Sequence, residues 1–158
     1  YKSFGVTGSP ILVAHNLLIG GGPSKSGGGI MLGDDGGAYQ LARRNILVDP
    51  GQHGMGIASG HDMAILENEI YGRKQPFTNV GIYVWNQYLH ACHSHQVRGN
   101  HVNWSSSSGR SNGWWDGRNC GVVAGLADND FNARIGPEIG LKPALECSCA
   151  SAGRKRHQ

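Results

Sequence analysis

Apolar residues in this chain come in short clusters rather than long amphipathic stretches. Ile11-Leu12-Val13, Leu17-Leu18-Ile19, Ile30-Met31-Leu32, Ile46-Leu47-Val48 and Ile82-Tyr83-Val84 are separated by stretches rich in Gly, Asn, Asp and Ser. Such clusters, rich in β-branched and aromatic residues and flanked by turn formers, read as short strands. No segment keeps a 3.6-residue apolar period over 11 residues, the minimum that marks an amphipathic helix.

Two marks recur along the pattern. Gly before a large apolar residue stands at Gly29-Ile30, Gly56-Ile57, Gly81-Ile82 and Gly113-Trp114, at intervals of 27, 25 and 32. Asn, any residue, then an apolar residue stands at Asn16, Asn45, Asn68, Asn100 and Asn129, at intervals of 29, 23, 32 and 29. A loose period of this kind suits a parallel solenoid, whose corners accept insertions while the stacked strands hold register. Asn at a corner tolerates the left-handed conformation, and its amide can bond from coil to coil.

Composition narrows the class. Gly supplies 26 of 158 residues and charged residues 16%, against averages of about 7% and about 25%. Each Gly inside a helix costs about 1 kcal/mol relative to Ala, which argues against bundles and coiled coils. With 39% hydrophobic residues the chain is not a solvated disordered polymer. The net charge of +3 equals the contribution of Arg154, Lys155 and Arg156, so residues 1–153 sum to zero. That is not the footprint of a nucleic-acid binder, and no run of 18 apolar residues predicts a membrane span. The expected division is a solenoid domain over residues 1–149, with a C-terminal extension, and a basic tail over 150–158. Tyr1 in place of Met, with no apolar leader, predicts a processed or truncated product.

The Gly-apolar and Asn-x-apolar marks over residues 11–132 resemble those of the right-handed parallel β-helix proteins of the pectate-lyase-like superfamily. The expected fold is therefore all-β: a right-handed single-stranded parallel β-helix of about five coils. Members of that superfamily usually carry an N-terminal cap, and no cap is evident here. An open end would expose strand edges and favour self-association.

Alternation along the strands places Met31, Ala58, Tyr83 and Trp115 outward if Ile30, Ile57, Ile82 and Trp114 face the core. The following corners would then stack Asp34-Asp35, His61-Asp62, Asn86-Gln87 and Arg118-Asn119. Aromatic planes beside carboxylates, amides and guanidinium suit a glycan, whose rings stack and whose hydroxyls bond to planar polar groups. Tyr83, Trp85, Asn86, Trp115 and Arg118 are the candidate polysaccharide-binding residues. Asp34, Asp35 and Asp62 are candidate catalytic carboxylates, with His61 orienting one, because glycoside hydrolysis needs two carboxyls about 5–9.5 Å apart. Elimination would instead need a base and a cation, and Ca²⁺ held by the aspartates enters only in that case.

Gly33-Asp34-Asp35 followed by Gly51-Gln52-His53-Gly54 resembles, in part, the acid/base carboxylates and auxiliary histidine of the polygalacturonases. That resemblance implies His53 as a further catalytic residue; no Asn-Thr-Asp or Arg-Ile-Lys motif accompanies it. No metal ligand set is required by the sequence; the His90, Cys92, His93, His95 stretch reads first as a polar turn. Cys92 and Cys120 fall in neighbouring repeats, where a disulfide is one option, and Cys147-Ser-Cys149 is spaced too tightly for a zinc knuckle. Gly20–Gly29 reads as a flexible loop, and Asn103-Trp104-Ser105 fits an N-glycosylation acceptor. The expected function is polysaccharide cleavage by a secreted or extracytoplasmic protein. Its rivals are a non-catalytic glycan-binding or adhesive solenoid and a purely structural one.

Overall fold

The computed structural model describes residues 3–20 and 27–141. Four circuits of the chain lay down matching strands. The first has β1 (Ile11–Ala14), β2 (Leu17–Ile19) and β3 (Gly28–Leu32); the second has β4 (Gln40–Arg43), β5 (Ile46–Val48) and β6 (His53–Ile57). The third has β7 (Gly60–His61), β8 (Ala64–Leu66), β9 (Glu69–Gly72) and β10 (Val80–Val84). The fourth has β11 (Cys92–His93), β12 (Gln96–Arg98), β13 (His101–Trp104) and β14 (Trp114–Asp116).

Every named pair is parallel, in sheets ordered β1-β4-β8-β12, β2-β5-β9-β13 and β3-β6-β10-β14, with a short β7-β11 pair. The architecture is an all-β parallel solenoid. It makes about three turns rather than the expected five. Four stacked strands span only three steps, and beyond β14 the next circuit is held by isolated bridges, Gln96 to Ala124 and His101 to Asp130.

The core is a set of apolar columns. Leu18, Leu47, Ile70 and Val102 are consecutive register partners, as are Val13, Ala42, Ile65 and Val97. Each fully buried Leu, Ile or Val contributes about 1.5–3 kcal/mol. The Asn-x-apolar mark has its cause here: its apolar member enters the core, and its Asn turns the corner before it.

Those asparagines form a continuous ladder. The Nδ2 group donates from Asn16 to the Oδ1 of Asn45 (2.9 Å), from Asn45 to Asn68 (3.0 Å), from Asn68 to Asn100 (2.9 Å) and from Asn100 to Asn129 (2.8 Å). At every rung the backbone N–H of the earlier Asn donates to the same oxygen. One expectation is corrected here. The left-handed residue at this corner is the one before the Asn, namely His15, Arg44, Glu67 and Gly99, with φ of 57°, 52°, 55° and 67°. Each Asn keeps ordinary backbone geometry, and its amide spans the coils.

The glycine mark also needs correction in one coil. Met55, not Ile57, pairs with Ile30 and Ile82, so the column runs Gly29, Gly54, Gly81, Gly113. A Cβ on Gly54 would overlap the carbonyl oxygen of Gly81 and approach Cγ2 of Ile70 at 2.6 Å. Neither neighbour can swing aside, because one is sheet backbone and the other is core. Gly54→Ala is expected to lose about 1–3 kcal/mol, the usual cost of overpacking, read as a lowered urea midpoint. An unchanged midpoint would mean that the coils can spread.

Cys92 and Cys120 form a disulfide with Cα atoms 4.4 Å apart. Among the described residues, the apolar side chains of the first circuit are poorly covered: Phe4, Val6, Leu12 and Ile19 are each about 60% exposed. Cys147, Cys149 and the basic tail lie outside the described residues.

Candidate functional site

The outer face of the β3-β6-β10-β14 sheet carries an open groove of about 370 Å³. Pairing stacks Met31, Gly56, Tyr83 and Trp115 in one outward column. The missing side chain at Gly56 leaves the space that the Tyr83 ring fills, and the His53 ring likewise lies over Gly28. His53 and Tyr83 meet edge to face with centroids 5.2 Å apart, and Trp85 and Trp115 do so at 5.7 Å. Four carboxamides complete the lining: Gln52, Asn79, Gln87 and Asn112.

Among the described residues, no charged side chain lines this groove. Burial pushes the His53 imidazole below its usual range, so it is uncharged at neutral pH. Burial also raises the Tyr83 phenol, whose oxygen accepts from Nε2 of Gln87 at 3.0 Å. Trp85 and Trp115 remain 42% and 44% exposed, available to a ligand. Their partner in sequence, Trp114, instead stacks on Phe131 at 5.4 Å and faces the core side.

A second cluster lies at the next corner, and two insertions make it. The link from Leu32 to Gly37 holds four residues where the matching link from Ile57 to Gly60 holds two; the link from Val84 to Cys92 holds seven. The first insert carries Asp34 and Asp35, the second Tyr88 and His90. The Tyr88 hydroxyl donates to Oδ1 of Asp34, which raises the phenol above its usual range. Nε2 of His90 meets Oδ1 of Asp35 at 2.7 Å. On the neighbouring coil Nδ1 of His61 meets Oδ2 of Asp62 at 2.7 Å, and the His61 ring stacks on His93 at 5.3 Å. His61 and His90 both line a small glycine-floored pocket of about 150 Å³, with Gly36, Gly37 and Gly60.

The corner register differs from the expected stack. His61 pairs with Ala38 and His93, so His61-Asp62 lies beside Ala38-Tyr39 and not beside Asp34-Asp35. Of the sequence candidates, His53, Tyr83, Trp85 and Trp115 converge on the groove, while His61 lines the small pocket and Asp35 and Asp62 reach it only through their bonds to His90 and His61. Asp34 lies between, bonded to Tyr88. Asn86 and Arg118 line neither. Asn86 donates from Nδ2 to the His90 carbonyl and its N–H is capped by Asn119, while Arg118 turns with φ 58°.

Sequence reasoning placed Gln87 in the corner stack but missed the groove carboxamides Gln52, Asn79 and Asn112 and the pair Tyr88 and His90. The uneven link lengths were the available signal for the latter pair. Comparison with protein-family models, curated proteins and solved structures finds no match to this chain. The class defined by the fold is a parallel β-solenoid with one aromatic groove on its side.

Proposed function

We propose that this solenoid binds a polysaccharide along the groove, as a carbohydrate-recognising module of a secreted or extracytoplasmic protein. The observation that carries the reading is the groove's composition: two exposed tryptophans and a tyrosine beside four carboxamides, with no charged side chain among the described lining residues. Aromatic faces stack on the apolar faces of sugar rings, and carboxamides donate to and accept from hydroxyls. The open shape suits a polymer that enters and leaves at both ends. An uncharged lining favours neutral sugars over uronates. The Cys92–Cys120 disulfide supports an oxidising compartment, and the asparagine ladder with three sheets per turn supports the likeness to the pectate-lyase-like superfamily.

The test is affinity electrophoresis through gels loaded with individual neutral and acidic polysaccharides. At least one neutral polymer is expected to retard the protein. Trp85→Ala and Trp115→Ala are each expected to weaken retention about tenfold, the effect of some 1.4 kcal/mol. Equal retention of the double variant would sink the assignment of the groove.

A second reading, cleavage of the bound glycan, is favoured by the two Asp–His pairs whose imidazoles line the small pocket. It predicts that Asp35→Asn with Asp62→Asn abolishes release of reducing ends while retention stays unchanged. Unaltered product formation would remove these residues from any catalytic role.

A further inference from the structure

His95 is 1% exposed, and its Nε2 lies 3.3 Å from Sγ of Cys92. With the sulfur of Cys120, the three ligand atoms all fall within 4.8 Å of one another in the buried interior. We propose that reduction of the Cys92–Cys120 disulfide converts this cluster into a Zn²⁺ site with two thiolate ligands and one imidazole ligand.

Two features support the conversion. A tetrahedral zinc with Zn–S near 2.3 Å and Zn–N near 2.05 Å has N···S edges of about 3.6 Å and an S···S edge of about 3.8 Å. The Nε2···Sγ distance is already close to such an edge, so the main movement is separation of the two sulfurs once their bond breaks. Second, Nδ1 of His95 is buried without a hydrogen-bond partner among the described residues. No described neighbour therefore fixes the proton on one nitrogen. The ring can carry it on Nδ1 and offer the Nε2 lone pair to a metal.

A dithiol reductant supplies two electrons and two protons; it becomes a cyclic disulfide, and the Cys92–Cys120 bond opens to two thiols. Zn²⁺ then displaces both thiol protons to solvent as the two Zn–S bonds form. Three protein ligands leave one coordination position for water. The same coils would thus be clamped by a covalent bond in an oxidising compartment and by a metal in a reducing one.

The test uses the full chain carrying Cys147→Ser and Cys149→Ser, so that thiols outside the described residues contribute nothing. Oxidised and dithiothreitol-reduced protein, freed of reductant under inert gas, are titrated with Zn²⁺ against a chromophoric chelator. Co²⁺ substitution reports thiolate ligation by its charge-transfer absorption, and circular dichroism follows the fold. One zinc per reduced chain and none per oxidised chain are expected. His95→Ala should weaken binding by at least about tenfold, since even loss of an outer-shell partner costs about 10–100-fold. Failure of the reduced chain to take up zinc would overturn the proposal, as would affinity indifferent to His95→Ala. A reduced chain that unfolds and is not refolded by zinc overturns it equally.

Discussion

Asn68→Ala is expected to cost the solenoid at least about 4 kcal/mol, a large share of the roughly 5–15 kcal/mol that holds a domain of this size together. The side chain is fully buried. Its Nδ2 donates to Oδ1 of Asn100 and to the Ala42 carbonyl, and its Oδ1 accepts from the backbone N–H and the Nδ2 of Asn45. Alanine removes all four bonds. It takes their side-chain partner from the Asn45 N–H and the Ala42 carbonyl, and one of two bonds from each of Asn45 Nδ2 and Asn100 Oδ1, at about 1–3 kcal/mol for each unsatisfied group. Asn68→Asp keeps the two acceptor bonds but loses both donor bonds and buries a charge, so it should be no better. Urea unfolding at pH 7.5 reads the effect. A midpoint within the equivalent of about 1 kcal/mol of the parent would show that the ladder is decorative.

Acid is expected to weaken the fold by about 3 kcal/mol between pH 6.5 and 4, with the disulfide intact. Burial holds His95 at about 4 in the folded chain, with smaller contributions from His93 and His61 against Asp62; the ordinary value is 6.5. The unfolded chain therefore takes up the proton first. Stability is complete above about pH 6.5 and falls with pH through that window, at about 1.36 kcal/mol per unit. Buried His53 acts in the same direction. The Arg44 and Arg43 hydrogen bonds lower Glu67 below its usual 4.5, so its contribution is lost only at more acid pH. Urea midpoints at pH 7.5 and 4.5 separate the two. A His95→Gln variant should flatten most of the dependence, and a pH-independent midpoint in the parent chain would contradict this role of His95.

The asparagine ladder was legible in the sequence because a polar residue that recurs two positions before a core residue, circuit after circuit, must stand at the same corner each time. The glycine column was legible only in part. Gly54-Met55-Gly56 offers two glycines two residues apart, and a shift of two preserves which side chains face inward. Strand pairing distinguishes them, setting Gly54 against the Gly81 carbonyl and Gly56 under the Tyr83 ring. The groove aromatics were readable from strand alternation, since pairing preserves it. The corner residues were not, because insertions carry no register. Asp34 and Asp35 sit on one insert and meet Tyr88 and His90 on another, about 55 residues away in sequence. Gln52, Asn79 and Asn112 stand at strand approaches, where amides are ordinary turn formers and give no separate signal.

The disulfide has a mechanical consequence. Hydrogen bonds between strands run along the solenoid axis, so tension applied to the two ends loads the coils one at a time and the structure should peel in steps. Cys92 and Cys120 are 28 residues apart, nearly one circuit, and their bond closes that circuit into a ring. Peeling from the C-terminal side that reaches Cys120 passes its load through the disulfide directly to Cys92. The circuit between the two cysteines then adds no length to the extending chain. A single covalent link thereby makes one coil silent in an otherwise stepwise unwinding.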